Sequence, residues 1–300
     1  MSLLVVGSVA IDSVETPFGK RKEVLGGSAT FFSISASFFT KVNLVAVIGR
    51  DFPDRYIRLL KGRGVSLDGL ESGKGRTFRW KGKYEYDLNA AHTIYTKLNV
   101  FKDFSPKIPE AYRKTPYLFL ANIDPELQLD VLKKVYPPRL VACDSMNFWI
   151  SNKLKALKKL LAKIDIFIIN DSESRLLSGE SNIIKAAKYI FSLGPKKLVI
   201  KRGDSGALFL TNKGGAFSAP AYLMETIKDP TGAGDSFAGG FMGYLSRTND
   251  TSERSMRKAV IYGTIMASFC VQDFGPGRLL KLKSSDIEKR FYDYQKNTRA

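Results

Sequence analysis

Short apolar runs bounded by polar turns constrain this chain more than any other feature. They fall at residues 3–9, 42–48, 117–121, 140–143, 164–169 and 197–200. Continuous runs of this length suit strands buried on both faces of a parallel sheet. Between them, residues 28–39, 53–63, 125–136, 152–163 and 181–193 carry helical patterning. Strand and helix alternate, which predicts an α/β fold: a doubly wound, mostly parallel sheet flanked by helices. Two stretches break the rhythm. In residues 76–98, Tyr84, Tyr86 and Leu88 alternate with polar residues after Lys81-Gly82-Lys83, which predicts an antiparallel hairpin turning at that tripeptide. Residues 13–25 are also short and turn-rich, and together the two predict a small sheet over one edge of the main domain. The C-terminal third reads as helical at 232–245, 253–272 and 284–294, and no repeat or long linker divides residues 1–300.

Composition narrows the function classes. With 44% hydrophobic and 25% charged residues the chain is globular and can bury a sizeable core. Cys143 and Cys270 stand far apart and read as buried thiols. The only histidine is His92, in the predicted hairpin, which nearly excludes histidine zinc sites and serine triads and leaves His92 a structural reading. No apolar run approaches the roughly 18 residues of a membrane span. The N-terminus lacks a basic leader segment, so the expected address is cytoplasmic. A net charge of +18 invites a polyanion. Against that, the densest cluster, Lys153, Lys155, Lys158, Lys159 and Lys163, interleaves with leucines at helical spacing and reads as a solvated face. No helix-turn-helix or aromatic RNA-binding pattern is present, so neither nucleic acid nor membrane is expected as a partner.

Open α/β sheets bind ligands beyond the carboxyl ends of their strands. The residues expected there are Asp12, Asn122, Asp124, Asp144, Asn170, Asp171 and Glu173. Each alone serves as readily as a helix cap or turn former. The most informative stretch is Asp229-Pro230-Thr231-Gly232-Ala233-Gly234-Asp235-Ser236, where small residues lead into an apolar-periodic helix. Gly232, Ala233 and Gly234 allow a phosphate to approach free amides at the helix start, where the helix dipole also favours negative charge. A carboxylate there, Asp235, is awkward for structure alone but useful as a base toward an attacking hydroxyl. Neither a Walker A sequence nor a Gly-x-Gly-x-x-Gly after the first strand is present, so a different phosphoryl-transfer scaffold is required.

These elements resemble the ribokinase-like (PfkB-type) carbohydrate kinases, a family that includes nucleoside kinases, and the resemblance spans essentially the whole chain. Residues 229–240 resemble its C-terminal signature and Gly26-Gly27-Ser28-Ala29-Thr30 its N-terminal one. Asn170-Asp171-Ser172-Glu173 matches its Asn-x-x-Glu element, and residues 201–206 fall where it has a nucleotide-contacting loop. The resemblance implies an ATP-dependent kinase acting on a sugar, polyol or related carbohydrate, with a nucleoside kinase as the alternative. Asp235 would be the catalytic base, and the backbone of Gly232, Ala233 and Gly234 the anion hole. Asp12, Gly26 and Gly27 would line the acceptor pocket, with Phe31 and Asn122 as specificity points. Phe31 stands where many sugar kinases have Asn, and reads equally as a core residue. Asn170, Lys201, Gly203 and Gly206 would contact the nucleotide. Glu173 would hold Mg²⁺ through water, while Asp229 and the Thr231 carbonyl fall where many relatives hold a monovalent cation such as K⁺. Residues 13–25 and 76–98 would form a lid, which in the family often makes a homodimer interface. From a different class, a catalytically idle regulatory protein binding a metabolite or nucleic acid is opposed by the intact Asp235 and its glycines.

Overall fold

The computed structural model describes residues 1–88 and 91–298. Its strands are β1 (Ser2–Val6), β2 (Ala10–Thr16), β3 (Gly19–Gly26), β4 (Lys41–Gly49), β5 (Val65–Gly73), β6 (Phe78–Tyr84), β7 (Ala91–Lys97), β8 (Tyr117–Leu120), β9 (Leu140–Asp144), β10 (Ile166–Asn170), β11 (Lys197–Lys201), β12 (Ala207–Thr211) and β13 (Ala216–Ala219). The helices are α1 (Ser28–Ala36), α2 (Asp54–Gly62), α3 (Pro125–Lys134), α4 (Asn147–Asn152), α5 (Leu154–Leu161), α6 (Asp171–Ser178), α7 (Ile183–Ser192), α8 (Ala233–Thr248), α9 (Glu253–Cys270), α10 (Gly277–Leu280) and α11 (Ser284–Thr298).

Nine strands form the large sheet in the order β13-β12-β11-β10-β9-β8-β1-β4-β5. Its pairings are parallel except those of β12 with β11 and β13. Because strand side chains alternate between faces, one strand feeds two cores. Leu3, Val5 and Phe119 join α1, α8 and α9 on one face, while Leu4, Val6 and Leu118 join α3, α5 and α7 on the other. This is the doubly wound α/β architecture expected from the apolar runs.

Several boundaries differ from that expectation. Residues 3–9 are not one strand: the chain leaves the large sheet after Val6 and begins β2 at Ala10. A β-carbon on Gly7 would stand 2.7 Å from that of Ala121, so the tight exit depends on glycine. Asp12 therefore lies inside β2 rather than after the first strand. The 152–163 helix is split at Lys153, whose ammonium is held by Asp124 at 3.5 Å and Glu126 at 2.8 Å. The antiparallel strands β12 and β13, the edge strand β5 and helix α6 have no counterpart in the sequence pattern, because each is short or only half-apolar.

A small sheet of four strands, in the order β3-β2-β6-β7, stands apart from the large one. Its β2–β6 pairing is parallel and the other two are antiparallel. Lys81-Gly82-Lys83 is not its turn: β6 runs straight through these residues, with a register shift against β7 between Lys81 and Gly82. Gly82 is required there because a β-carbon would overlap the Trp80 indole. The chain reverses between Tyr84 and Ala91, a stretch that includes Asn89 and Ala90, outside the described residues.

Helix α1 is buried along its whole length, which explains why it lacks one-sided periodicity. Phe32 stacks on Phe119 of β8 with ring centroids 4.3 Å apart. On its other side α8 approaches through glycines: a β-carbon on Gly239 would overlap the Phe32 carbonyl oxygen and stand 2.7 Å from Ser35 Cβ. By contrast, nothing lies within 4 Å of a β-carbon on Gly62. Helix propensity alone favours alanine over glycine by about 0.8–1 kcal/mol at either site. Gly62→Ala should therefore raise the midpoint of thermal unfolding, whereas Gly239→Ala should lower it, overpacking costing about 1–3 kcal/mol. Equal effects in calorimetry would contradict the close α1–α8 contact.

Candidate active site

Helix α8 begins with Gly232 in the left-handed region at φ 78°, a conformation that favours glycine. The Phe31 ring lies against this residue, and any β-carbon on Gly232 would overlap it. Phe31 is 1% exposed and belongs to the core that includes α8. It forms the floor beneath the helix start. Above it, Ala233 N donates to Pro230 O at 3.1 Å and Ser236 N to Gly232 O at 2.8 Å, while the amides of Gly232 and Gly234 have no acceptor among the described residues. Unpaired donors at a helix start, where the dipole favours negative charge, can receive an anion. A β-carbon on Gly234 would stand only 2.7 Å from Lys201 Nζ, so the missing side chain also lets an ammonium reach the helix start.

Asp235 stands in the first turn of this helix. Loss of water pushes its carboxyl up from the ordinary carboxylate range, and Lys201 opposes that shift. Lys201 ends β11 and belongs to a cluster drawn from neighbouring strand ends. Asp144, the last residue of β9, is 4% exposed, and its Oδ1 has no hydrogen-bond partner among the described residues. Burial raises its carboxyl well above the usual range; Asp235 and Glu173 raise it further and Lys201 lowers it. The sequence reading placed Asp144 at a strand end without giving it a role. The signal available was its position after an apolar run, and the structure shows that it caps no helix.

Asn170 and Glu173 fit together through local chemistry. Asn170 Oδ1 accepts from Glu173 N at 2.7 Å, and Glu173 Oε2 accepts from Asn170 N at 3.1 Å, forming a reciprocal capping box at the start of α6. The cap fixes Glu173 at the edge of the cluster, where burial raises its carboxyl and Lys201 opposes the rise. In the following loop, Gly203 and Gly206 both adopt positive φ, at 55° and 84°. A β-carbon on Gly206 would overlap Ala219 O, so this turn packs directly on the end of β13.

On the other side lies Asp12. A β-carbon on Gly26 would overlap its carboxyl, and one on Gly27 would stand 2.5 Å from Ser8 O. The Gly27 amide donates to Asp12 Oδ2 at 3.3 Å. The double glycine thus lets a carboxylate rest against bare backbone where α1 begins. Burial pushes Asp12 up to about 7, the Gly27 amide lowers it, and Asp229 and Asp235 raise it. Asp229 is fully buried, with Oδ1 accepting from Thr231 N and Oδ2 from Gly275 N, both at 2.9 Å. The Thr231 carbonyl accepts from Cys270 Sγ at 3.5 Å.

Asp12, Asp229, Asp235, Lys201, Glu173 and Asp144 are therefore close enough to sense one another's charge. Asn122 is engaged elsewhere: its Oδ1 accepts from Trp149 Nε1 at 2.9 Å. Asp124 caps α3 by accepting from Glu126 N at 2.9 Å. His92 is exposed on β7 opposite Lys83. Among the described residues no helix is long and apolar enough to cross a membrane.

Comparison with known proteins agrees with this geometry. The profile of the pfkB family carbohydrate kinases matches residues 2–282. A cytidine kinase of Thermococcus kodakarensis is 30% identical over 258 residues, covering 84% of this chain and 91% of that protein. Similar folds are seen in an aminoimidazole riboside kinase from Salmonella enterica, solved with aminoimidazole riboside and an ATP analogue, and in a ribokinase from Cryptococcus neoformans, solved with ADP. The first has a TM-score of 0.76 at 18% identity, covering 97% of this chain and 100% of that one. The second has a TM-score of 0.79 at 21% identity, covering 96% and 99%. With the family profile matched over residues 2–282 and a cytidine kinase relative 30% identical over most of both chains, the chain belongs to the pfkB family of carbohydrate kinases, phosphotransferases acting on sugar or nucleoside hydroxyls.

Proposed function

We propose that the protein transfers the γ-phosphate of ATP to a hydroxyl of a ribose unit, free or within a nucleoside. The observation that carries this reading is the start of α8: a carboxyl, unpaired amides and the Lys201 ammonium converge there. Asp235 takes the proton of the acceptor hydroxyl, and the oxygen attacks the γ-phosphorus in line as the bond to the ADP oxygen breaks. The amides of Gly232 and Gly234 and the Lys201 ammonium offset the charge on the moving phosphoryl group. Lys201, with Asn170 and the Gly203–Gly206 turn, lies along the path of the nucleotide phosphates.

The donor set also fits a hydrated Mg²⁺. Asp144 supplies an orphaned buried oxygen and Glu173 a second hard donor, too few for an all-protein cage but suited to an ion shared with phosphates and water. Such an ion would neutralise phosphate charge and order the triphosphate. Asp229 and the Thr231 carbonyl would hold a monovalent cation behind the anion hole, through lone pairs left over by their present bonds.

Asp12 grips acceptor hydroxyls, with Gly26 and Gly27 giving them access to backbone, and the small sheet serves as a lid that excludes water. The nucleoside form of the acceptor is supported by the cytidine kinase relative.

Assays of ADP release with ribose, deoxyribose, cytidine, adenosine and inositol test the reading; no turnover with any of them would refute it. Asp235→Asn should lower kcat by about 10²–10⁴ while nucleotide affinity is retained. Near-normal turnover in that variant would sink the proposed base. A second expectation concerns pH. The Asp12 carboxyl must be ionised to accept two hydroxyls, so kcat/KM for the acceptor should rise as pH increases through about 7. Its raised value has the opposite effect on the unliganded protein. Stability from this group is full below the ordinary carboxylate range and is lost as pH climbs to about 7. Asp12→Asn should therefore raise the thermal midpoint at pH 8 more than at pH 4 and raise the acceptor KM. An equal shift at both pH values would show that Asp12 is not held protonated by its burial.

A further inference from the structure

Strand β6 of the small sheet carries Trp80, Gly82 and Tyr84 at alternate positions. Asp12 pairs with Trp80 in the β2–β6 register, so the two residues share a face of that sheet. Trp80 is committed within the sheet: its indole covers Gly82, and its Nε1 donates to Thr93 Oγ1 at 3.2 Å. Tyr84 instead crosses to the floor. It is 8% exposed, although β7 beside it is exposed along nearly all its length. The Tyr84 hydroxyl accepts from Thr231 Oγ1 at 3.3 Å, just before the glycines that open α8. A side chain from the small sheet thus reaches Thr231, close enough to Asp229 and Asp12 to feel their charge.

The phenol keeps its proton. Burial pushes its ionisation up, and the nearby Asp229 and Asp12 push it further. With its oxygen occupied by Thr231, the remaining function is the O–H, which has no acceptor among the described residues. A buried donor without an acceptor is destabilising, which an oxygen of a bound ligand would relieve. Asp12 and Tyr84 do not bond one another. They stand close enough for Asp12 to act on the phenol electrostatically, so a hydrogen-bond acceptor and a donor lie near one another, a pattern suited to a ring carrying both hydroxyls and a bare oxygen.

We propose that Tyr84 is a specificity-determining residue of the acceptor site, donating its O–H to an oxygen of the acceptor across from the hydroxyls held by Asp12. This rests on the reading of Asp12 as the acceptor grip. Sites built to hydrogen-bond a substrate oxygen discriminate strongly against analogues without it, because their own group is then stranded. The acceptor class is thereby narrowed to ribosyl compounds presenting an oxygen acceptor opposite the diol, and Tyr84 ranks them.

Tyr84→Phe keeps the ring and removes only the hydroxyl, so the fold should survive. With the full chain, ATP, and ribose, deoxyribose, cytidine and adenosine as acceptors, kcat/KM for the best acceptor should fall by about 10-fold or more, mainly through KM. The KM for ATP should stay within about twofold, and the spread among the acceptors should shrink as the discriminating bond is lost. Unchanged ranking with unchanged KM would overturn the proposal. So would a uniform loss on all acceptors accompanied by a raised KM for ATP, which marks a structural role. Asp12→Asn, assayed alongside, separates the layers. An unchanged acceptor KM in that variant overturns the acceptor site as a whole, whereas a raised one with Tyr84→Phe silent overturns the tyrosine's role alone.

Discussion

Acidic side chains crowd the carboxyl end of the large sheet around the Lys201 ammonium, and the rest of the site follows from how that crowding is tolerated. Asp144, Glu173 and Asp235 each feel Lys201, and the loss of water around them raises all of their carboxyls. Like charges a few ångströms apart in a medium poorer than water repel by several kcal/mol. One ammonium cannot neutralise so many groups. Two remedies remain: holding protons, as the raised values indicate, or admitting cations. Under the proposed function, a nucleotide arriving with its metal would supply positive charge to the acids and negative charge to the amides of α8 at once.

Glycine makes this arrangement geometrically possible. Gly26 and Gly27 let Asp12 lie on bare backbone, Gly232 fits over the Phe31 ring, and Gly234 leaves room for Lys201. Further along the same helix, Gly239 lets α8 settle onto α1. The glycines of 232–240 therefore divide between chemistry and packing, although they read in sequence as one motif.

Much of this was legible beforehand, and the failures have physical causes. The apolar runs located the buried parallel strands because burial on both faces leaves no alternation to misread. The 229–240 stretch marked the start of α8 for the same reason that it works there: small residues and an acid before an apolar helix. The edge strand β13 was hidden because partial exposure dilutes its pattern, and β12 beside it because it is short. Lys81-Gly82-Lys83 looked like a turn because glycine between charged residues usually is one, yet here the glycine answers to the Trp80 indole three-dimensionally above it. Asp144 stood at the right strand end, but nothing local told a solvent-facing cap from a buried, unpartnered acid. The Asn-x-x-Glu pair was recognised by resemblance. Its capping box shows that one carboxylate oxygen is spent on aiming the other.

The exit of the chain after Val6 has one more consequence. Asp12 belongs to β2, and β2 belongs to the small sheet, while Asp235 is rooted in a helix packed on the large one. On the proposed roles, the hand that would hold the recipient and the group that would strip its proton thus ride on separate bodies, joined near Gly7 and Gly27. Any tilt of the smaller body would swing Asp12 and Tyr84 together, so alignment of the recipient would be set at that hinge and not by the rigidity of either core.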